Sequence, residues 1–386
     1  MTTETAEKLT TTLEEPLARL VAFEPTALPV ISVYLNTQPN AHGRDPELLP
    51  YLQREFKALA RTWPAGTPER TSFDSDVERI TKYVSDEIEP AANGVVIFAS
   101  HGSSEFFEAL QLTAPVTENR VYVYHQPHLY HLAHLDQQYP RYAAVLTDTN
   151  AARIFIFGLC QTIAADEVKG KKVHRVKVGG WSQARYQRRV GNAHQEHARE
   201  LTAHLEAIVR DDQVSHVILS GDSVIVPLLR EMMPRQLQPM VEEVKLDLHA
   251  SEQDVMRATL EKLHEQSAET EAEKVNRLLE QYRGRGLAVV GPEETLTALA
   301  NGQVDEILIS SQLELEHSEP EQVDAFVAPE IPDASGGTES DEPRIASLPD
   351  LLVTKAKQSG ATITFVEDRT LLESVGDVGG FLRWRA

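Results

Sequence analysis

From residue 251 to 282 the chain runs for 32 positions, SEQDVMRATLEKLHEQSAETEAEKVNRLLEQY, without a proline or a glycine. Val255, Leu260, Leu263, Val275, Leu278 and Leu279 recur there at helical spacing, so the stretch predicts one uninterrupted helix. At ~1.5 Å per residue such a helix is on the order of 45 Å long. A rod of that length sets two parts of a chain a defined distance apart, and the glycines of RGRG, 283–286, end it.

Upstream of the rod the pattern alternates between strands and helices. Residues 28–35, LPVISVYL, read as a buried strand, and Leu48, Leu49, Leu52, Phe56 and Leu59 as a helix face. WPAGTPER breaks that pattern, and FDSDVERITKYVSDEI reads as a second helix opening on Asp or Ser. NGVVIFAS supplies a strand with which FFEALQL pairs. YAAVLTDTNAARIFIFG reads as two strands about a polar turn, HARELTAHLEAIVR as a helix with Leu201, Leu205, Ile208 and Val209 on one face, and VSHVILSGDS as a buried strand. Downstream, LAVVG, PEETLTALANG and VDEILIS give strand, helix and strand, with Pro in the first turn and Gly at the stop. Residues 313–343 are rich in Glu, Asp, Pro, Ser and Gly and lack Lys and Arg, which predicts a mobile acidic insertion. LPDLLVTKAKQSG, ATITFVED and GGFLRWRA complete a small α/β/α unit.

A chain of 386 residues, 41% hydrophobic, can hold two or three domains. No run approaches the ~20 apolar residues of a membrane span, and acidic residues stand where an export signal has its basic start. The expected location is cytoplasmic. The single Cys160 excludes an internal disulfide and a cysteine zinc site, and its apolar neighbours predict a core position. His125, His128, His131 and His134 repeat every three residues, a spacing that invites a metal. Pro127 and the apolar alternation argue instead for extended chain, with His131 on the face opposite His128 and His134, and the row is read as a domain junction. SGDSV around Ser223 lacks the G-x-S-x-G elbow of a nucleophilic serine.

The formal net charge is -22, yet residues 168–195 hold eight Lys or Arg and no Asp or Glu. Lys169, Lys171, Lys172, Arg175 and Lys177 precede Gly179-Gly180, and Arg185, Arg188 and Arg189 follow Trp181, Ser182 and Gln183. Paired glycines let a tip approach another surface closely. Guanidinium groups pair bidentately with phosphate, and aromatic faces stack on unstacked bases. A basic projection on an acidic body suits a polyanionic partner, because repulsion elsewhere restricts docking to one orientation.

The order of these features resembles the archaeo-eukaryotic peptide chain release factor subunit 1 and Pelota superfamily. In release factors GGQ is followed by S-x-x-R-F-x-R; here stand Gly179, Gly180, Trp181, Ser182, Gln183, Ala184, Arg185, Tyr186, Gln187 and Arg188. GPEETLTALANGQVDEILIS and SGATITFVEDRTLLESVGDVGGFLRWR are similar to the third domain of that family. The resemblance implies a three-domain α/β architecture: an N-terminal α/β domain at 1–132 facing the decoding centre, a middle α/β domain at 133–282 with a projecting basic Gly-Gly loop at 168–195 and the long connecting helix, and a C-terminal α/β/α sandwich at 283–386 with the acidic insertion.

The family uses the Gln of GGQ to position water at the peptidyl-tRNA ester. Trp181 stands there, and an indole has one N–H donor and no acceptor. The N-I-K-S and Y-x-C-x-x-x-F elements of codon reading are also missing. The departures point to a bacterial branch of ribosome hibernation factors that fill the A site under stress. That implies contact of the tip residues with rRNA, a 70S ribosome partner (16S and 23S rRNA), and elongation factor Tu or another translational GTPase. It implies no catalytic residue, metal, cofactor, membrane or DNA. The alternatives are a rescue peptidyl-tRNA hydrolase using Gln183 or His194, a Pelota-like splitting factor, and a binder of some other RNA or of an acidic protein.

Overall fold

The computed structural model describes residues 13–39, 46–102, 106–160, 167–169, 181–211, 214–313 and 347–385, without the side chains of 14, 167–169 and 181–190. The fold is mixed α/β with three sheets, one from each third of the chain. The chain divides into two units: residues 1–138 with 267–386, and residues 139–266.

In the first sheet β1 (Val30–Asn36), β2 (Gly94–Ser100), β3 (Phe106–Leu112) and β4 (Arg120–Tyr124) are antiparallel in the order β3-β2-β1-β4. Successive side chains on a strand point to opposite faces, and β1 uses both. Ile31, Val33 and Leu35 pack with Val95 and Ile97 against Leu52 and Phe56 of α2 (Leu48–Leu59) and Phe73, Ile80 and Val84 of α3 (Pro68–Asp86). Ser32 and Tyr34 belong to the other face. The helix α3 opens earlier than FDSD, because Thr67 accepts a hydrogen bond from the Arg70 amide at 3.2 Å and Pro68 takes the first helical turn. A short α1 (Glu14–Val21) precedes the sheet, and Arg19 reaches Glu108 on β3 with 2.8 and 3.1 Å bonds.

Asp76 on α3 is buried and accepts the His101 amide at 2.9 Å. Burial pushes its carboxyl up to about 6. The folded value lies above the unfolded one, so its contribution is intact below pH ~4 and is lost as pH rises through about 6. Asp76→Asn keeps an acceptor for His101 without the buried charge. We expect it to raise stability by about 1–2 kcal/mol at pH 8 and to change little at pH 4. Urea unfolding at the two pH values measures this, and an equal effect at both would refute it.

The histidine row departs from its expected extended form. Residues 130–138 form α4 (Tyr130–Gln138), burying Tyr130, Leu132, Ala133 and Leu135. The first amide groups of a helix lack intrahelical partners; here Asp350 Oδ1 accepts from the Leu129 and Tyr130 amides at 2.9 and 3.0 Å. The acceptor lies more than 200 positions away in sequence, so no local signal announces the helix.

The second unit holds a five-stranded sheet of β5 (Tyr142–Thr147), β6 (Ala151–Phe157), β7 (Glu167–Lys169), β8 (His216–Gly221) and β9 (Val241–Glu243), ordered β7-β6-β5-β8-β9. The β5–β6 pair is the expected hairpin, and β8 lies parallel to β5. One face is covered by α5 (Trp181–Asp211) and α6 (Ile225–Met232), through Ala198, Leu201, Leu205, Ile225 and Leu229. Val255 and Leu263 of α7 (Glu252–Arg283) cover the other. Cys160 is half-buried just beyond β6, not in the core, because the apolar run ends with β6 and the chain turns there.

The long helix is present as read. Its second half packs in the first unit, where Val275 and Leu278 lie on the third sheet. That sheet joins β10 (Ala288–Val290), β13 (Val378–Leu382), β11 (Val304–Ser310) and β12 (Thr362–Val366) in the order β10-β13-β11-β12, with β11 and β12 parallel. A Cβ on Gly379 would come within 2.7 Å of Leu278 Cδ2 and 2.9 Å of Val289 O. Glycine is what lets α7 approach here. With α8 (Pro292–Ala300) and α9 (Leu348–Ser359) the third sheet is the expected α/β/α layer. Of the acidic stretch, Leu313 is buried, and 314–346 lie outside the described residues.

Candidate functional site

The basic cluster runs from an edge strand of the second sheet to the start of a helix. At one end β7 pairs antiparallel with β6 along the sheet edge, Lys169 standing opposite Ala151. Asp148 shapes the adjoining turn, its Oδ1 accepting from the Asn150 and Ala151 amides at 2.6 and 2.8 Å. At the other end α5 begins. Lys171, Lys172, Arg175, Lys177, Gly179 and Gly180 lie between them, at positions outside the described residues.

Residues 181–195, expected within the loop, instead form the first turns of a 31-residue helix. The physical reason lies in the sequence: after Gly180 come Gln, Ala and Arg, good helix formers, and no Pro. Among the described side chains of α5, which begin at 191, the first fully buried ones are His197 and Ala198. Trp181 opens the helix 16 to 17 residues before these two positions, about 25 Å along the axis. At about 100° per residue, positions 181, 185, 188 and 189 share one face within about a quarter to a third of a turn, while 182 and 183 lie about 100° and 200° away. Gly191, Asn192, Gln195 and Glu196 are exposed.

The other sequence candidates have structural roles. His194 is half-buried on α5. Ser223 is exposed in the turn after β8, where Asp222 Oδ1 accepts from the Val224 and Ile225 amides at 2.9 Å and caps α6. Among the described residues no group of three or more His, Cys, Asp or Glu is placed to hold a metal. No helix among them is long and apolar enough to cross a membrane.

The histidines join the first and third sheets within one unit, not the first and middle segments on either side of residue 132 as the sequence suggested. His128 is fully buried; its amide donates to Ser32 Oγ at 3.0 Å and its carbonyl accepts from Tyr34 OH at 2.5 Å. Its ring stacks on Tyr122 at 3.7 Å between centroids, and Nδ1 meets Asp350 Oδ2. His131 Nε2 bonds Tyr122 OH at 2.6 Å, and His134 Nε2 bonds Glu367 Oε1 at 2.6 Å. The second bond holds the Glu367 carboxyl below its usual range.

Residues 127–264, α4 through the first part of α7, match the family described as bacterial archaeo-eukaryotic release factor family 10. The match covers about a third of the chain, and that stretch is similar to the archaeo-eukaryotic release factors. Within that class, the matched stretch is similar to the bacterial family 10. No curated protein matches. Among solved structures, the archaeal translation termination factor aRF1 is 15% identical over 96% of this chain and 97% of its own, with a TM-score of 0.27. Dom34 of S. cerevisiae is 10% identical over 80% and 94%, with a TM-score of 0.42. Archaeal Pelota, in a model of its ribosome-bound form with ABCE1, is 12% identical over 97% and 95%, also with a TM-score of 0.42. At these identities and scores they say nothing about activity.

Proposed function

We propose that the chain is a ribosome-binding factor that fills the A site of the 70S ribosome and hibernates it, leaving peptidyl-tRNA intact. The observation that carries this reading is the α5 start: Trp181 opens a long helix directly after Gly179-Gly180, with arginines at 185, 188 and 189. In this reading Lys169, Lys171, Lys172, Arg175 and Lys177 flank the tip and pair with phosphates of 23S rRNA. Trp181 wedges or stacks at the peptidyl transferase centre, and the three arginines neutralise the phosphates beyond it.

Hydrolysis is disfavoured on chemical grounds. The indole at 181 offers no acceptor for a nucleophilic water. Gln183 sits about 200° around the helix and about 3 Å further along, so it does not substitute for the missing amide. The segment 1–132 faces the decoding centre and 16S rRNA, and elongation factor Tu or another translational GTPase accompanies the factor. In this reading the chain resembles the hibernation factor Balon.

Co-sedimentation with 70S ribosomes, with the peptidyl-tRNA ester assayed in the same tubes, tests the proposal. Stoichiometric binding, intact ester and intact 70S particles are expected. Ester cleavage would assign the chain to rescue, subunit splitting to a Pelota-like role, and absence of binding even with elongation factor Tu would remove the ribosome as partner.

A further inference from the structure

A second aromatic and basic surface lies in the first unit, on elements that the reading above does not use. Tyr282, Leu287 and Trp384 are exposed, Trp384 at 49%. Around them stand four exposed arginines: Arg283 and Arg285 in the turn that ends α7, and Arg383 and Arg385 after β13. Arg385 Nη1 donates to the Arg285 and Gly286 carbonyls at 2.9 and 3.1 Å, which ties the two segments together. Leu382 N also bonds Leu287 O at 3.0 Å.

The four cations are not equivalent. Arg383 donates to the Ser359 and Gly360 carbonyls and faces Asp305 at 3.5 Å. Arg385 lines a cleft with Glu293 and Glu294. Arg383 is thus locally compensated, and Arg385 is committed to the Arg285 and Gly286 carbonyls. Arg283 and Arg285 have no side-chain partner among the described residues, although Glu280 is exposed one turn upstream. Arg285 also takes φ +53°, a left-handed conformation, although glycines flank it. Such a backbone is costly for a side chain with a Cβ, and costs of this kind concentrate at functional positions.

We infer that this corner binds a short unpaired stretch of RNA, with Trp384 and Tyr282 stacking on bases and Arg283 and Arg285 pairing with the phosphates. Exposed rings next to uncommitted planar cations are the elements with which proteins hold single strands without reading sequence. Of the acidic residues nearby, Asp305 faces Arg383, Glu293 and Glu294 line the cleft with Arg385, and Glu280 lies upstream. They confine the anionic ligand to the α7 side of the patch. The site is built from other elements than the α5 tip, and its existence does not depend on the A-site reading.

The test uses the full chain carrying Arg185→Glu, Arg188→Glu and Arg189→Glu, which reverse three charges of the other basic cluster, and Trp181→Phe. Trp384 then reports by fluorescence quenching, since the emission of buried Trp63 is shielded from a bound ligand. Ten-nucleotide oligouridine is expected to quench the emission. Adding Arg283→Glu and Arg285→Glu should weaken binding by about tenfold or more and reduce the log–log salt slope by about 1.4, at ~0.7 per phosphate. Because neither side chain has a hydrogen-bond or ion-pair partner among the described residues, the thermal melting curve should move little, by no more than the loss of Arg283 at the end of α7 costs. Quenching by polyglutamate but not by oligouridine would make this a peptide site and overturn the inference. So would oligouridine binding that ignores both arginines, or no quenching at all. Failure here leaves the ribosome co-sedimentation result untouched.

Discussion

Asp350→Ala should lower the stability of the first unit by about 3–5 kcal/mol, the range for removing one member of a buried charged hydrogen-bonding pair. The carboxylate is wholly buried at the start of α9 and satisfies four donors. Oδ1 takes the Leu129 and Tyr130 amides, and Oδ2 takes Ser347 Oγ at 2.9 Å and meets His128 Nδ1. Alanine leaves the first amides of α4 and the His128 ring without an acceptor in a site that water does not reach. Each buried donor so stranded costs about 1–3 kcal/mol. Asp350→Asn preserves the shape and one acceptor oxygen, so its loss should be smaller. Urea titration read by far-ultraviolet circular dichroism checks this. With two units in the chain, the transition of the first should move and that of the second should stay. A change of less than about 1 kcal/mol for Asp350→Ala would mean that His128 and the α4 amides find other partners.

That pair also marks where sequence reading stops. The strands and helices that were legible carry their cause locally. Ile31, Val33 and Leu35 alternate as a strand does, α7 lacks any breaker over 32 residues, and Pro292 and Gly302 bracket α8. Local patterns failed where the determinant is distant. The helix α4 depends on an acceptor contributed by α9, and its histidines looked extended because Pro127 precedes them. The strand β4, RVYVY, went unremarked because its alternate faces are valine and tyrosine. Both are useful to it: Val121 and Val123 join the first core, while Tyr122 stacks on His128. At the candidate site the charge pattern was legible and the conformation only partly so. The glycine pair drew the reading toward a loop through residue 195, whereas helix propensity takes over at Trp181.

The other large effect concerns that helix. Arg185→Glu, Arg188→Glu and Arg189→Glu together should weaken 70S binding on the order of a thousandfold. Each arginine paired with a phosphate contributes about 1.5–3 kcal/mol as a charge-assisted hydrogen bond, and about 1.4 kcal/mol is tenfold in affinity. Three lost contacts thus reach that scale before the repulsion of three new carboxylates is counted. The salt dependence gives a second readout: neutralising three phosphates contributes about 2–3 to the log–log slope, which the variant should lose. Alanine at the same positions should fall between, since it removes the attraction without adding repulsion. Position 183 serves as the internal control, because it lies on another side of α5; Gln183→Ala should leave binding within a few-fold of the parent. If the triple charge reversal bound ribosomes with unchanged affinity and salt slope, the face of α5 that follows Trp181 would not be the ribosome-contacting surface. A selective loss with Gln183→Ala would move the functional face a half-turn around the helix and reopen the hydrolase reading.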